Sequence, residues 1–386
     1  LLQTGFELFP RRTDFQFVAS SGKEGTVPEF TSRGLPWSGH YVMRNGWGED
    51  DLFMLVDSGP YGSAHQHEDK LHFVLFGYGQ QLILDPGNYS YDASRWRQYV
   101  LTTPGHNTVM VDGCGQRRRG QQDTYFWPRP WAGDAPGEND TLWATEPAFD
   151  FVRGTYRDGY GRRPKPMELG AGRPEHDEHE LDHTVTHTRR VLFLKPDYWL
   201  IADTLVAEDE AEHQFESLFH FDAEEATVDP ATKSVVTQNE AANVAVHPMQ
   251  SEGLELSIVK GEDDPVQGWG NDPWRPVPTA VYSFSGSGTT WVCYAVAPLK
   301  PGEQSSIESL ECLDRTEASI RVQVTWRNGE KDTVQFAHES ANEREFLDSR
   351  TDAEMSAIRE DEAGKRTFSV ERLAGQNDTR LWNAAR

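Results

Sequence analysis

Short apolar runs that alternate with polar residues and stop at Gly, Pro, Asn or Asp recur along the whole chain. They include "HYVMRNGW", "DLFMLVDSG", "KLHFVLFGYG", "QLILDPG", "HNTVMVDG", "HTVTHTRRVLFL", "DYWLIADTL", "AVYSFSGSGTTWVCYAVAP" and "SIRVQVTWRNGEKDTVQFA". A two-residue period places successive side chains on opposite faces of an extended strand, whereas an amphipathic helix needs a 3.6-residue period that this chain rarely sustains. The pattern therefore predicts an all-β fold, a large antiparallel β-sandwich rather than a parallel α/β sheet. "GSG" at 286–288 and "RNGEK" at 327–331 separate alternating runs with residues that tolerate positive φ, and predict hairpins. The polar stretches 130–148, 157–180 and 261–278 read as long loops on one body, because strand patterns resume on either side. Segment 341–364 is the one long polar stretch with helical potential.

With 386 residues the chain is long enough to bury a large core, and no run of about 18 apolar residues is present to cross a bilayer. A formal charge of −25 argues against a nucleic-acid partner, since phosphate binding needs a basic stripe. Arg117, Arg118 and Arg119 form a short basic run that reads first as a solvated loop. Cys114, Cys293 and Cys312 are odd in number and lack CxxC spacing, so they define neither a disulfide framework nor a zinc knuckle. The opening "LLQTGFELFPRRTDF" lacks a basic segment followed by an apolar one, so no signal peptide is visible.

The chemistry concentrates in "GSAHQHEDKLHFVLFGYGQQLILDPGNYSYD", 62–92. Its two apolar runs predict a hairpin that turns near Tyr78 and Gly79, which sets Asp85 opposite about Leu71 or His72. His67 lies before the first run, so its segment must curl back to meet that carboxylate. His65 and His67, at i and i+2, point to one side of an extended chain. His106 opens a later strand pattern, and two imidazoles with one carboxylate suit Zn²⁺ with a fourth position left over. The plainer reading is that these are capping and loop histidines; three His and an Asp at strand ends favour the metal. His176, His179, His183 and His187 are spaced for a helix face, but the sequence around them alternates like a strand. Trp127, Trp131 and Trp143 could stack on sugar rings, although large aromatics more often pack in a core.

"YVMR" at 41–44, "HQHED" at 65–69, "LDPGNYSYD" at 84–92 and "HNTVMVDG" at 106–113, in that order, resemble the heparinase II/III-like polysaccharide lyases, in the β-sandwich that follows an α/α toroid. "HTRRVLFLKPDYWLIADTL", 187–205, resembles the family's next strand pair. The resemblance implies β-elimination on a uronate-containing glycan, with His67, Asp85 and His106 as zinc ligands and His65 in the catalytic cleft. It also implies a catalytic tyrosine after the "DPG" turn, with Tyr91 the first candidate, Tyr99 the second, and Tyr89 packing. A zinc there would be structural, locking the loop that carries His65. Arg44, Arg95 and Arg97 are the candidates for a locally basic cleft on an acidic surface. The helical toroid expected of the family is not evident before residue 35. The chain thus divides into a lead-in, 1–34, and a sandwich, 35–386, whose partner would be a separate or cleaved helical domain, with a secreted or periplasmic location implied by family. The alternatives are a non-catalytic carbohydrate-binding sandwich and a cupin-like metalloprotein. A cupin expects Glu four or five residues after the second His, where Leu71 and His72 stand.

Overall fold

Strands whose alternate side chains are buried on one face can border solvent, whereas strands buried on both must lie inside a stack. The computed structural model describes residues 1–36, 38–59, 67–116, 141–161, 181–209, 211–250, 252–270, 273–338, 344–347, 349–351, 353–373 and 379–382, and it places the second kind of strand at the centre. An eight-stranded antiparallel sheet includes Phe149–Tyr156, Val185–Leu194, Tyr198–Ala207, Asn243–Pro248 and Thr289–Leu299, nearly all of whose residues are buried. Consecutive residues go to opposite cores: Val191 and Phe193 to one, Leu192 and Leu194 to the other.

The first core is closed by two sheets that join at their edges. One has five strands, Arg33–Leu35, His40–Arg44, Phe53–Asp57, Phe73–Gly77 and Gln80–Ile83; the other has four, Glu255–Val259, Thr279–Gly286, His213–His220 and Val109–Val111. They meet where Ile83 bridges Phe221 and the Leu84 N–H donates to the His220 carbonyl at 2.9 Å. The second core is closed by a six-stranded sheet that runs from Ile307–Arg315 to Thr379–Trp382. The all-β sandwich expected from the period-2 pattern is thus present, in three layers. Among the described residues the helices are short, the longest α-helices spanning Leu2–Leu8, Thr13–Ala19 and Arg95–Leu101. No helix among these residues is long and apolar enough to cross a membrane.

Three expectations need correction, the long loops among them: Leu142–Thr145 within 130–148 is a strand. "GSG" is not a hairpin turn: Thr279–Gly286 belongs to the outer sheet and Thr289–Leu299 to the central one, so the chain changes layer there. "RNGEK" does join a hairpin, Ser319–Trp326 with Lys331–Ala337. Segment 341–364 is not helical. Arg344–Phe346 pairs with Ser349–Thr351, and Ala353–Glu360 is a mostly buried strand whose Met355 and Ala357 enter the second core. Alternation won over helix propensity because a sheet edge was available to take it. The stretch 261–278 folds into two small ribbons, Glu262–Asp263 with Val266–Gln267 and Trp269–Gly270 with Arg275–Pro276.

Candidate functional site

At one end of the five-stranded sheet, polar residues form a row across the strands. His40 pairs with Asp57, and the Asp57 N–H donates to the His72 carbonyl at 2.9 Å. The turn at Tyr78 and Gly79, both at positive φ, folds Gln80–Ile83 back so that Asp85 comes beside His72, as the hairpin register predicts. Leu71, at φ 70, makes the curl-back that returns His67 to the same place. A non-glycine residue in this region is uncommon, and it is held by its surroundings: its N–H donates to Asp57 O (2.7 Å) and its carbonyl accepts from Arg189 Nη1 (2.8 Å). Arg189 is itself fixed by a bidentate pair with buried Asp203. The central sheet thereby braces the site from below.

Asp85 accepts the Gly87 N–H on Oδ1 (2.7 Å) and binds His106 Nδ1 through Oδ2 (2.9 Å). Burial opposes ionisation of Asp85, but the hydrogen bond and charge of His106 outweigh it and hold the carboxyl below its usual range. His72 Nε2 lies 3.3 Å from the same Oδ2. The Asn107 backbone N–H donates to His72 Nδ1 at 2.8 Å, so the proton of the neutral ring sits on Nε2, toward Asp85. With Nδ1 occupied, His72 has no lone pair to offer a metal; its Nε2 faces Asp85 Oδ2 at 3.3 Å and, like that of His106, has no hydrogen-bond partner. Burial pushes its pKa down to about 3, which keeps the ring neutral. Asn107 ties the group together: its Nδ2 donates to Phe73 O and Leu84 O (both 2.9 Å), and its Oδ1 accepts from the His220 N–H at 2.7 Å.

His106 is fully buried, and its Nε2 has no hydrogen-bond partner. A protonated Nε2 would be a buried donor with nothing to bond, a cost of about 1–3 kcal/mol. Asp85 raises the His106 pKa against burial, which favours the charged ring in the absence of a metal; a metal would replace the partnerless Nε2 proton and leave Nδ1–H on Asp85, the form in which a histidine binds a metal. The His67 ring lies 5.3 Å from the His106 ring, centroid to centroid, and burial followed by the charge of His106 pushes its pKa down to about 4. His67, Asp69 and His106 bring ligand-type atoms within 4.8 Å of one another, as do His72, Asp85 and His106. Burial raises the Asp69 pKa to about 7. The donor set, two imidazoles and carboxylates around an orphaned nitrogen, fits a zinc-type cation.

Of the predicted trio, Asp85 and His106 are directly bonded and the His67 ring lies beside His106 with its Nε2 3.2 Å from Asn88 Oδ1; the close groups are instead His67 with Asp69 and His106, and Asp85 with His72 and His106. His65 lies outside the described residues, as do Trp127, Trp131, His176, His179 and Arg117 to Arg119. Tyr91 is 69% exposed, with the Arg97 guanidinium 4.8 Å from its ring centroid. Tyr99 is buried in the helix Arg95–Leu101, and its hydroxyl donates to Gln267 Oε1 at 3.1 Å, so its proton is engaged within the protein. Arg97 is buried and donates to Asn88 O; Arg95 is exposed and pairs with Asp263 at 3.1 Å. Arg44 is not brought to the cluster. Its strand position pairs with Phe53 and hence Phe76, beside the Tyr78 turn, at the end opposite the site, where it lies over Trp47 and Phe53. Trp143 is half-buried and packs against Tyr41, and His187 is buried and binds Asp203. The residues that motif reading missed are His72, Asn107, His220 and Asp69. The register that set Asp85 opposite Leu71 or His72 was the one available signal for His72.

The chain is a layered antiparallel sandwich with buried imidazole and carboxylate groups at one sheet end. Residues 28–290 match the family "Heparinase II/III-like, C-terminal", and the chain belongs to it. A heparin-sulfate lyase of Bacteroides stercoris is 36% identical over 110 residues, 28% of this chain and 16% of that protein. A heparin-sulfate lyase of Pedobacter heparinus is 29% identical over 109 residues, 27% and 16% of the two chains. Among solved structures, a heparinase III gene product superposes with TM-score 0.66 at 21% identity, covering 87% of this chain and 47% of that one. A mutant heparan sulfate lyase of Pedobacter heparinus gives 0.67 at 19% identity, covering 87% and 48%. The chain thus spans about half the length of those structures, which share its fold. Both curated relatives are named as heparin-sulfate lyases.

Proposed function

We propose that the chain is the zinc-bearing β-sandwich portion of a polysaccharide lyase that cleaves a uronate-containing glycan by β-elimination. The observation that carries this is the orphaned Nε2 of His106, set between His67 and the Asp85 pair in a chain of this family. The names of the relatives favour a glycosaminoglycan as substrate.

Elimination removes the proton at C5 of a uronate and expels the 4-oxygen, and it needs a base, an acid and donors that offset charge at the carboxylate. His65 is assigned to proton transfer or carboxylate neutralisation. Tyr91 is assigned as the proton donor, because it is exposed where Tyr99 is not. Arg95, on an exposed turn of the helix, is the cation for the chain, and Arg97 shapes the Tyr91 ring. Zn²⁺, held by His67, Asp85 and His106, would tie three separate segments together and so fix the loop that carries His65. A helical domain, on the same polypeptide or cleaved from it, would complete the cleft, with residues 1–34 as the lead-in to the sandwich. Location outside the cytoplasm follows from a polymeric glycan substrate.

The test is incubation with heparan sulfate, hyaluronan, alginate and ulvan, with and without the helical domain, while following ultraviolet absorbance of the unsaturated uronate. Activity lost in His65→Ala and Tyr91→Phe but kept in Tyr99→Phe is expected. Absence of the product from every polymer, with the helical domain present, overturns the lyase reading in favour of a carbohydrate-binding sandwich.

A further inference from the structure

The row across the five-stranded sheet does not end at His72. In the strands His40–Arg44 and Phe53–Asp57, burial alternates, with Tyr41, Met43, Met54 and Val56 entering the first core. His40 and Asp57 therefore lie on the opposite, outward face, in register with each other. Phe73 also enters the core, so His72 is on the outward side too. Position by position, His40, Asp57 and His72 form one line on one face of three neighbouring strands, and Asp85 and His106 continue it. Strand spacing of about 4.8 Å puts His40 roughly 10 Å from the His72 strand.

The line grades from buried to open. His106 is fully buried and His72 nearly so, whereas the His40 side chain keeps 42% of its exposure and Asp57 25%. Asp57 Oδ1 accepts the Gly59 N–H (2.9 Å), which leaves Oδ2 facing His40 Nε2 at 3.6 Å. The strand end is itself fixed, because Gly39 sits so close to Gly59 that a Cβ on it would fall 1.8 Å from the Gly59 Cα. The charged groups facing His40 are Asp57 on the neighbouring strand and Asp69 on the curl-back segment; Asp57 first, and then Asp69, raise its pKa against the effect of burial. An imidazole with one nitrogen turned to a carboxylate and the ring open to solvent is arranged to present its other N–H outward. On a chain of net charge −25, a fixed outward donor at the mouth of the cluster is a specific provision for an anion.

Resting on the lyase reading above, we propose that His40, oriented by Asp57, is a substrate-contacting residue that donates a hydrogen bond to a carboxylate of the glycan at the open end of the site. It is a binding residue rather than a proton-transfer residue, so its loss should act on KM more than on kcat.

The experiment is histidine-ring NMR on the zinc-loaded chain, with His40 assigned by its disappearance in His40→Gln, during titration with a heparan sulfate tetrasaccharide. A neutral chitin tetrasaccharide is the control for charge. The expected result is a His40 shift with the first sugar and not the second, and binding weakened about tenfold in His40→Gln, equivalent to about 1.4 kcal/mol. Asp57→Asn, which keeps the Gly59 contact, should lower the His40 pKa and weaken binding severalfold, and it serves as the test if His40→Gln fails to fold. Movement of the His67 ring without His40, or tetrasaccharide binding within twofold of wild type in both variants, overturns this inference and leaves the lyase reading intact. No ring responding to any uronate oligosaccharide with the helical domain also present overturns both.

Discussion

Leu71 decides where His67 goes, and it does so in a backbone conformation that costs a leucine on the order of 1–2 kcal/mol. The offset comes from Asp57, and from Arg189, 118 positions away in sequence, whose buried guanidinium holds both the Leu71 and the Asn107 carbonyls. Arg189→Met should therefore cost about 3–5 kcal/mol in urea unfolding, because it strands the buried Asp203 charge. The same variant should weaken zinc binding even where the protein is still folded, which a chelator competition would show. The histidines should separate in the same way: His106→Ala should remove bound zinc from elemental analysis altogether. His72→Ala should keep it with an affinity about 10–100-fold lower, because His72 faces Asp85 and has no lone pair for the metal. Undiminished zinc in His106→Ala would refute the ligand assignment. The meeting of Asp85 with His106, and of His67 with His106, was legible from residue types at strand ends. The supports were not: a leucine carries no signal for positive φ, and Asn107 and Arg189 act through main-chain carbonyls that no motif records.

At the scale of elements, what was legible followed from whether a segment's apolar period had one interpretation. Val185–Leu194 was readable as a strand because its first half alternates, and its last four residues, like most of Tyr198–Ala207, put apolar side chains on both faces, which are in fact covered. Ala353–Glu360 was not, since "AEMSAIRE" offers small and apolar residues at both two- and three-residue spacings amid charges that suit a solvated helix. The deciding contacts are remote: Glu354 pairs with Arg153 at 3.1 Å, and Arg359 makes a bidentate pair with Asp332. Burial of the polar face is thereby made tolerable, and the sheet claims the segment. Met355→Ala tests this, since a fully buried methionine in the second core should cost about 2–5 kcal/mol on truncation. On a solvated helix the same change would be nearly neutral, so a urea midpoint unchanged by it would argue for the helix.

For the molecule as a whole, pH sets two opposing terms against each other. His72, His220 and His247 are buried neutral, with burial as the first cause of pKa values near 3, 4 and 4. An unfolded histidine titrates near 6.5, so between about pH 6.5 and 4 the unfolded chain binds more protons, and the stability these groups give above pH 6.5 is lost as pH falls. Asp69 works the other way: burial raises its pKa to about 7, so its contribution is present at acid pH and is lost as pH rises through 7. Surface repulsion also relaxes on acidification, because a chain of charge −25 at pH 7 approaches neutrality near its pI of 4.9. High salt separates these effects. At 1 M the Debye length is about 3 Å, which removes most of the surface term and leaves the buried one. His67 and His187 are lowered as well, whereas His40, His106 and His213 are raised, so the sign belongs to each group: His247 contributes a stability that is present above pH 6.5 and is lost as pH falls toward 4. His247 isolates the cause, since it sits between Ser234 Oγ (3.1 Å) and Ser305 Oγ (2.7 Å), away from the His67 and His106 pair that a metal would engage. His247→Gln can keep a hydrogen bond but cannot take up a proton. The variant should therefore lose less melting temperature than wild type between pH 7 and pH 5 in high salt, with chelator or with zinc present, and a slope identical to wild type would show that burial of His247 does not act on the acid limb.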